Sequence, residues 1–234
     1  MVGGFVLTGA IAWAILRWEG LRAADVGLSR RTAVSGALLA VGFYVLLNVV
    51  GAAYLFLSGE PVRLAPPEGP SFALWGVVTV AYLIAGLAEE LAYRAYLQNK
   101  LVALFKGGDD RVRKAVAILA AGVLFTLAHV PNRVLEMGLD SPGAIAGTFV
   151  SVVVLGLLLG VLYEFTRNVA FVGVLHGTLN WSAFVVEGIP ASDVALFVGL
   201  PALVLVAWYY RRWATEEGAP EFAPQRQRHV APSL

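Results

Sequence analysis

The chain has 234 residues, of which 59% are hydrophobic and only 14% charged, with a net charge of +1 and a mean hydropathy of +0.75. That composition marks a polytopic membrane protein: at about 20 residues per span it supplies roughly seven spans with short loops, and it leaves little room for a separate soluble domain. Cysteine is absent, which removes disulfides, thiolate nucleophiles and cysteine-ligated metals from consideration.

The first apolar run, Val2 to Trp18, has no basic stretch before it and reads as a retained span rather than a cleavable signal. A polar linker from Glu19 to Arg31 leads to a second span at Ala33 to Leu57. Ser58 to Ser71 then carries Pro61, Pro66, Pro67 and Pro70 and reads as an irregular loop. From Phe72 no helix breaker occurs until Gly107-Gly108. A helix of about 34 residues would be roughly 50 Å long, more than a bilayer needs, so part of it is expected to project from the membrane or lie along its surface. The charged loop Gly107 to Lys114 precedes a fourth span at Ala115 to His129, which Pro131-Asn132 is expected to end.

A connector from Arg133 to Gly143 leads to a fifth span at Ala144 to Phe165 and a turn at Thr166-Arg167-Asn168. The sixth span is expected at Val169 to Val186, with a break at Gly188-Ile189-Pro190, and the seventh at Val194 to Tyr210. The expected fold is therefore all-α, a polytopic transmembrane helical bundle of about seven spans (six to eight). Residues 1–212 are expected to form one domain, and residues 213–234 a polar, disordered cytoplasmic tail.

Basic residues alternate across this map, fifteen in one set of loops and only Arg63 and Arg133 in the other. The positive-inside rule then puts the N-terminus outside the cell membrane and the tail in the cytoplasm, together with the segment from Arg94 to Lys114. In that topology Glu89 lies toward the cytoplasmic side and His129 at the far end of a short outward span. The two meet only if their helices are offset in depth or re-entrant.

Glu89, Glu90 and Arg94 fall inside an apolar helix, where a charge near the bilayer centre costs about 2.5–3.5 kcal/mol on insertion scales and calls for a partner, water or a task. Glu90 and Arg94 are spaced i,i+4 for an intrahelical ion pair, whereas Glu89 points about 100° away and is free for a different job. Phe125 with His129, and His176 with Asn180, repeat the i,i+4 spacing on two further spans. Taken singly, each has an ordinary structural explanation: a Glu–Arg pair that shares a buried place, polar side chains that join helices, and Tyr93 and Tyr96 as packing residues. Jointly they gather nearly all the strongly polar groups of the expected spans onto three helices.

Such a set supports hydrolysis without a covalent nucleophile. A carboxylate with a histidine deprotonates water, and a second histidine with an asparagine amide donates to the oxyanion of a tetrahedral intermediate. Glu89, His129 and His176 would alternatively suit zinc with an open coordination position. No Gly-x-Ser-x-Gly, no His-Glu-x-x-His and no aspartate within a span is present for other intramembrane protease chemistries. Two other classes remain open: a catalytically silent binding or immunity protein, and a small transporter using the carboxylates and histidines as a proton relay. The absence of a visible inverted repeat counts against the transporter.

Glu89-Glu90-x-x-x-Arg94, Phe125-x-x-x-His129 and His176-x-x-x-Asn180, in that order, resemble the three motifs of the CPBP (CAAX protease and bacteriocin-processing, or Abi) family of intramembrane endopeptidases. The dense part covers Ala85 to Asn180, and Asp25-Val26-Gly27-Leu28 also resembles a segment common in that family. The resemblance implies an endopeptidase related to the CAAX prenyl endopeptidase, with Glu89 as general base working with His129, His176 and Asn180 holding the oxyanion, and Glu90 with Arg94 in support. It implies either a metal-free, glutamate-dependent enzyme, which is favoured, or a zinc enzyme. Bacteriocin maturation or self-immunity is the alternative role. The expected partners are the lipid bilayer and a peptide or lipidated-protein substrate, with no nucleic acid.

Overall fold

A computed structural model describes residues 2–65, 72–107, 110–181 and 184–216. The helices are α1 (Val2–Trp18), α2 (Arg30–Leu57), α3 (Phe72–Glu90), α4 (Asn99–Leu104), α5 (Arg111–Pro131), α6 (Pro142–Thr166), α7 (Val169–Asn180), α8 (Ala191–Val194) and α9 (Leu200–Glu216). Wider π-helical turns at Leu91–Gln98 and Ala195–Gly199 join α3 to α4 and α8 to α9, and another, Asn132–Glu136, prolongs α5. The expected tail, from residue 217 onward, and Pro66, Pro67 and Pro70 of the expected loop lie outside the described residues.

The seven expected spans reduce to five helical rods long and apolar enough to cross a membrane: Ala23–Leu57, Ala73–Leu104, Arg111–Leu135, Pro142–Thr166 and Ala191–Trp213. The protein is thus multi-pass by length and composition. The remaining two expected spans are shorter apolar helices, and α7 with its 12 residues is only about 18 Å long against a hydrocarbon core of about 30 Å. The sixth expected span ends early because the chain beyond it turns extended. Leu64 and Val186 form an isolated antiparallel bridge, Ala65 N–H donates to Val185 C=O, Glu187 N–H donates to Arg63 C=O, and the Asn48 side chain accepts from Val185 N–H at 2.8 Å.

The fourth expected span runs on past His129 to Pro131, where the regular α-helix ends as expected, and a π-helical segment, Asn132–Glu136, carries the rod further. Similarly, the long third rod keeps its expected length but widens into π geometry directly after Glu90.

Helix starts follow from local chemistry. Ser29, Asp110, Ser141 and Asn168 each accept a hydrogen bond from a backbone N–H of the helix they precede, satisfying donors that have no intrahelical partner. Asn168 does more than cap. Its Oδ1 accepts from Phe171 N–H at 2.9 Å, while Nδ2 donates to Thr32 C=O and to Tyr210 Oη, both at 2.8 Å, so one buried amide ties α7 to α2 and α9. Asn168→Ala is expected to destabilise the fold by about 2–4 kcal/mol, from a lost cap and stranded buried polar groups. Asn168→Asp, which keeps the cap but loses the two donors, should fall between it and wild type in thermal unfolding in detergent.

A second polar cluster fixes the ends of α4, α5 and α6. Glu164 bridges Lys114 at 2.9 Å and Arg167 at 2.6 Å, and Arg167 donates to Asn99 Oδ1 at 2.8 Å. On the other flank, Lys100 Nζ reaches both carboxylate oxygens of Glu19 at 2.7 Å, and Tyr96 Oη donates to the same group at 3.2 Å, anchoring the end of α1. The apolar core runs between these clusters, with Leu16, Phe43, Leu159, Phe171 and Leu175 buried in it.

Candidate active site

The polar residues of α3, α5 and α7 converge in the middle of the bundle. Helix α7 packs chiefly on α3, and glycine permits the approach. A Cβ on Gly177 would lie 2.6 Å from Tyr82 C=O and 2.9 Å from Leu83 Cα, and a Cβ on Gly86 would collide with the backbone of Gly173 and Gly177. The obstructing atoms are main chain, so no rotamer change relieves them. Gly177→Ala is accordingly expected to push the helices apart and to cost about 1–3 kcal/mol, measured as a lowered unfolding midpoint in detergent. Gly173 and Gly177, four residues apart, are the small-x-x-x-small signature of close membrane helices, a signal the motif search passed over.

At this contact the two adjacent carboxylates take different partners. Glu90 is fully buried; its Oε1 accepts from His176 Nδ1 at 2.9 Å and its Oε2 stands 3.1 Å from Arg94 Nε, which is also fully buried. Glu89 Oε2 faces the two imidazoles, 3.6 Å from His129 Nε2 and 3.8 Å from His176 Nε2. Both separations are too long for direct hydrogen bonds. The side chains of Glu89 and His129 keep 12% and 23% of their surface accessible, so of the two carboxylates Glu89 is the one an incoming molecule can reach.

Ring orientation is fixed by the groups behind the histidines. His129 Nδ1 lies 2.8 Å from Phe125 C=O, a group that only accepts, so this nitrogen carries a proton and Nε2 is turned toward Glu89. His176 Nδ1 likewise donates to Glu90 and turns Nε2 into the same space. Phe125 is the common wall: His129 packs on it at 4.4 Å between centroids, His176 at 5.7 Å and Tyr93 at 5.0 Å, and the Arg94 guanidinium lies 4.7 Å from its ring centre. This favourable cation–aromatic geometry gives the buried arginine a second source of stabilisation besides Glu90.

Five of the six sequence-derived residues, Glu89, Glu90, Arg94, His129 and His176, therefore form one contiguous cluster, in which Glu89 and His129 meet at 3.6 Å. Asn180 does not join it. It is exposed at the end of α7, one turn past His176, and among the described residues no hydrogen bond connects it to the other five. Next to it Trp181 stacks on Tyr82 at 5.7 Å, an aromatic pair that the motifs did not flag.

Residues 71–182 match the family model described as type II CAAX prenyl endopeptidase Rce1-like, and that stretch carries all six residues. These residues are an Rce1-like domain. No curated protein and no solved structure matches the chain significantly. A match to that family model over residues 71–182 implies a protease, and the cluster of Glu89 with two imidazoles lies within the matched segment. A zinc ion would have to be held by Glu89 Oε2 and the two Nε2 atoms. Tetrahedral bonds of about 2.0–2.1 Å set ligand atoms roughly 3.4 Å apart. The separations of 3.6 and 3.8 Å are wider, and among the described residues no group of three side chains is arranged to hold a metal ion. As arranged, the Rce1-like cluster does not fit the ion.

Proposed function

We propose that the protein is an intramembrane endopeptidase of the CAAX prenyl protease type, hydrolysing a peptide bond near a lipidated or membrane-embedded C-terminus with water activated by Glu89 and His129. The observation that carries this reading is the approach of one carboxylate oxygen of the partly exposed Glu89 to two imidazole Nε2 atoms at 3.6 and 3.8 Å, inside an Rce1-like domain. A water admitted there touches Glu89 and His129 Nε2 at once. Glu89 takes its proton while the oxygen bonds to the scissile carbonyl carbon, and the carbonyl electrons move onto oxygen. The oxyanion accepts hydrogen bonds from protonated His176 and from the Asn180 amide.

With His176 doubly protonated, the charges of Glu89, Glu90, His176 and Arg94 cancel, which suits a site of low dielectric. Collapse of the intermediate breaks the C–N bond, and the proton held by Glu89 passes to the leaving amine. Asn180 is brought to the oxyanion by the substrate, one turn along the helix from His176. Residues 1–212 act as a single peptidase domain, with the N-terminus outside and the tail in the cytoplasm, as the distribution of arginine and lysine supports.

The test is cleavage of a quenched fluorogenic prenylated CAAX peptide by the purified full chain in detergent, with and without a chelator. Cleavage after the prenylated cysteine that survives the chelator is the expected result. Cleavage lost to the chelator and restored by zinc would overturn the metal-free reading. A folded protein that cleaves no such peptide would shift the reading to bacteriocin maturation, to an immunity protein that acts by partner binding, or to a proton-coupled transporter, the last detected as uptake in sealed vesicles.

A further inference from the structure

Tyr93 has no role in the hydrolysis as proposed, yet it borders the cluster. Its ring stands edge-on to Phe125, with centroids 5.0 Å apart, and Phe125 is the wall on which His129 and His176 also pack. Along the rod Tyr93 follows Glu89 by four residues. In a regular α-helix that spacing leaves a side chain about 40° off the face of the first, and the wider turns that begin at Leu91 bring it nearer to alignment. The neighbouring pair at the same spacing, Glu90 and Arg94, meets across one turn at 3.1 Å. The phenol lies within electrostatic reach of Glu89. Its hydroxyl is unused: Tyr93 is partly buried, makes no hydrogen bond with the described residues, and keeps Oη open to its surroundings. Tyr96, Tyr163 and Tyr210 instead bond theirs to another segment of the chain.

Position along the rod assigns this hydroxyl a partner. Helix α7 runs antiparallel to α3, since Gly177 packs on Tyr82 and Leu83, and Gly173 on Leu87. Asn180 therefore lies toward the Tyr82 end, beside the stack of Trp181 on Tyr82, and Tyr93 lies on the other side of Glu89. In the proposed reaction the Asn180 side takes the oxyanion, and the attacking oxygen sits at Glu89 and His129. Two substituents of the tetrahedral carbon remain, the leaving nitrogen and a carbon, and of these only the nitrogen carries a hydrogen that an oxygen accepts. We infer that Tyr93 Oη accepts a hydrogen bond from the N–H of the scissile peptide bond, a catalytic contact that rests on the peptidase reading. A phenol oxygen accepts as well as donates. Held through its N–H, the nitrogen turns the lone pair that forms in the intermediate toward protonated Glu89. Glu89 gives it the proton taken from water, the C–N bond breaks with its electron pair on nitrogen, and the oxyanion closes to the carbonyl.

The test uses the purified full chain in detergent and two quenched substrates, a prenylated peptide and the same sequence with a thioester in place of the scissile amide. The thioester sulfur carries no hydrogen and accepts weakly. Tyr93→Phe keeps the ring against Phe125 and removes only the hydroxyl, so its unfolding midpoint should match wild type. On the peptide it should lower kcat/KM by about tenfold, the scale of one hydrogen bond. On the thioester that loss should all but vanish, a difference that a purely structural role for Tyr93 would not produce. Equal rates for wild type and Tyr93→Phe on the peptide would overturn the inference and leave the peptidase reading standing. Equal losses on both substrates would also overturn it, making the hydroxyl a donor to the oxyanion or a part of the packing. Folded wild type that cleaves neither substrate would overturn the peptidase reading itself, and this contact with it.

Discussion

Glu89→Gln is expected to lower kcat/KM for peptide cleavage by about 10³-fold or more while leaving the protein folded, the range in which a positioned general base contributes. The substitution keeps the shape of the side chain, and Glu89 Oε2 has no hydrogen-bond partner among the described residues to lose, so unfolding in detergent should be nearly unchanged. What disappears is the group that takes a proton from water beside His129. Glu90→Gln serves as the contrast. That carboxylate is fully buried against His176 and Arg94, and its replacement should lower activity and stability together. A Glu89→Gln protein that cleaves at the wild-type rate would move the proton acceptor elsewhere and sink the proposed role.

Arg94→Met should produce the largest loss of stability, about 3–5 kcal/mol, because it strands the Glu90 carboxylate in a fully buried place. For a chain of this size such a loss lowers the unfolding midpoint by roughly 6–20 °C. The guanidinium makes no hydrogen bond with the described residues and packs against Phe125 and Glu90, so its own burial is costly and the pair holds only while both charges are present. The double variant Glu90→Gln/Arg94→Met should therefore recover much of the loss, with a coupling energy well above the half kcal/mol of an independent pair. Additive effects would show that Arg94 stabilises the bundle through packing on Phe125 rather than through charge. Activity separates the two carboxylates further: the double variant should fold yet cleave poorly, since His176 keeps only a neutral amide, not a carboxylate, beside its Nδ1.

The elements most legible in the sequence were those set by local spacing. The limits of the apolar runs in α1, α2, α6 and the third rod fall within a few residues of expectation, because a helix in lipid must satisfy its own backbone and its side chains must be apolar over its length. The i,i+4 pair of Glu90 and Arg94, and the divergence of Glu89 from Glu90, follow from 3.6 residues per turn, and the structure keeps both even though π geometry begins at Leu91. Less legible was α7. Hydropathy continues through Val186, yet the helix stops at Asn180, because the backbone of 185–187 finds its partners in 63–65 and Asn48, contacts more than a hundred residues away in sequence. Pro131 marks the end of the regular α-helix as expected, but the π-helical segment that prolongs the rod to Glu136 carried no signal in the sequence.

By itself the sequence determined the all-helical membrane class, the residue types of the polar cluster and the three helices that bear them. Only the tertiary structure decided which carboxylate meets which imidazole, that Arg94 is held between Glu90 and the face of Phe125, and that Asn180 stands apart from the rest. The reason is one of distance. Spacing along a helix is fixed by its geometry, whereas the meeting of α3, α5 and α7 depends on how closely glycine faces let the backbones approach, a property of pairs of helices that no single stretch contains.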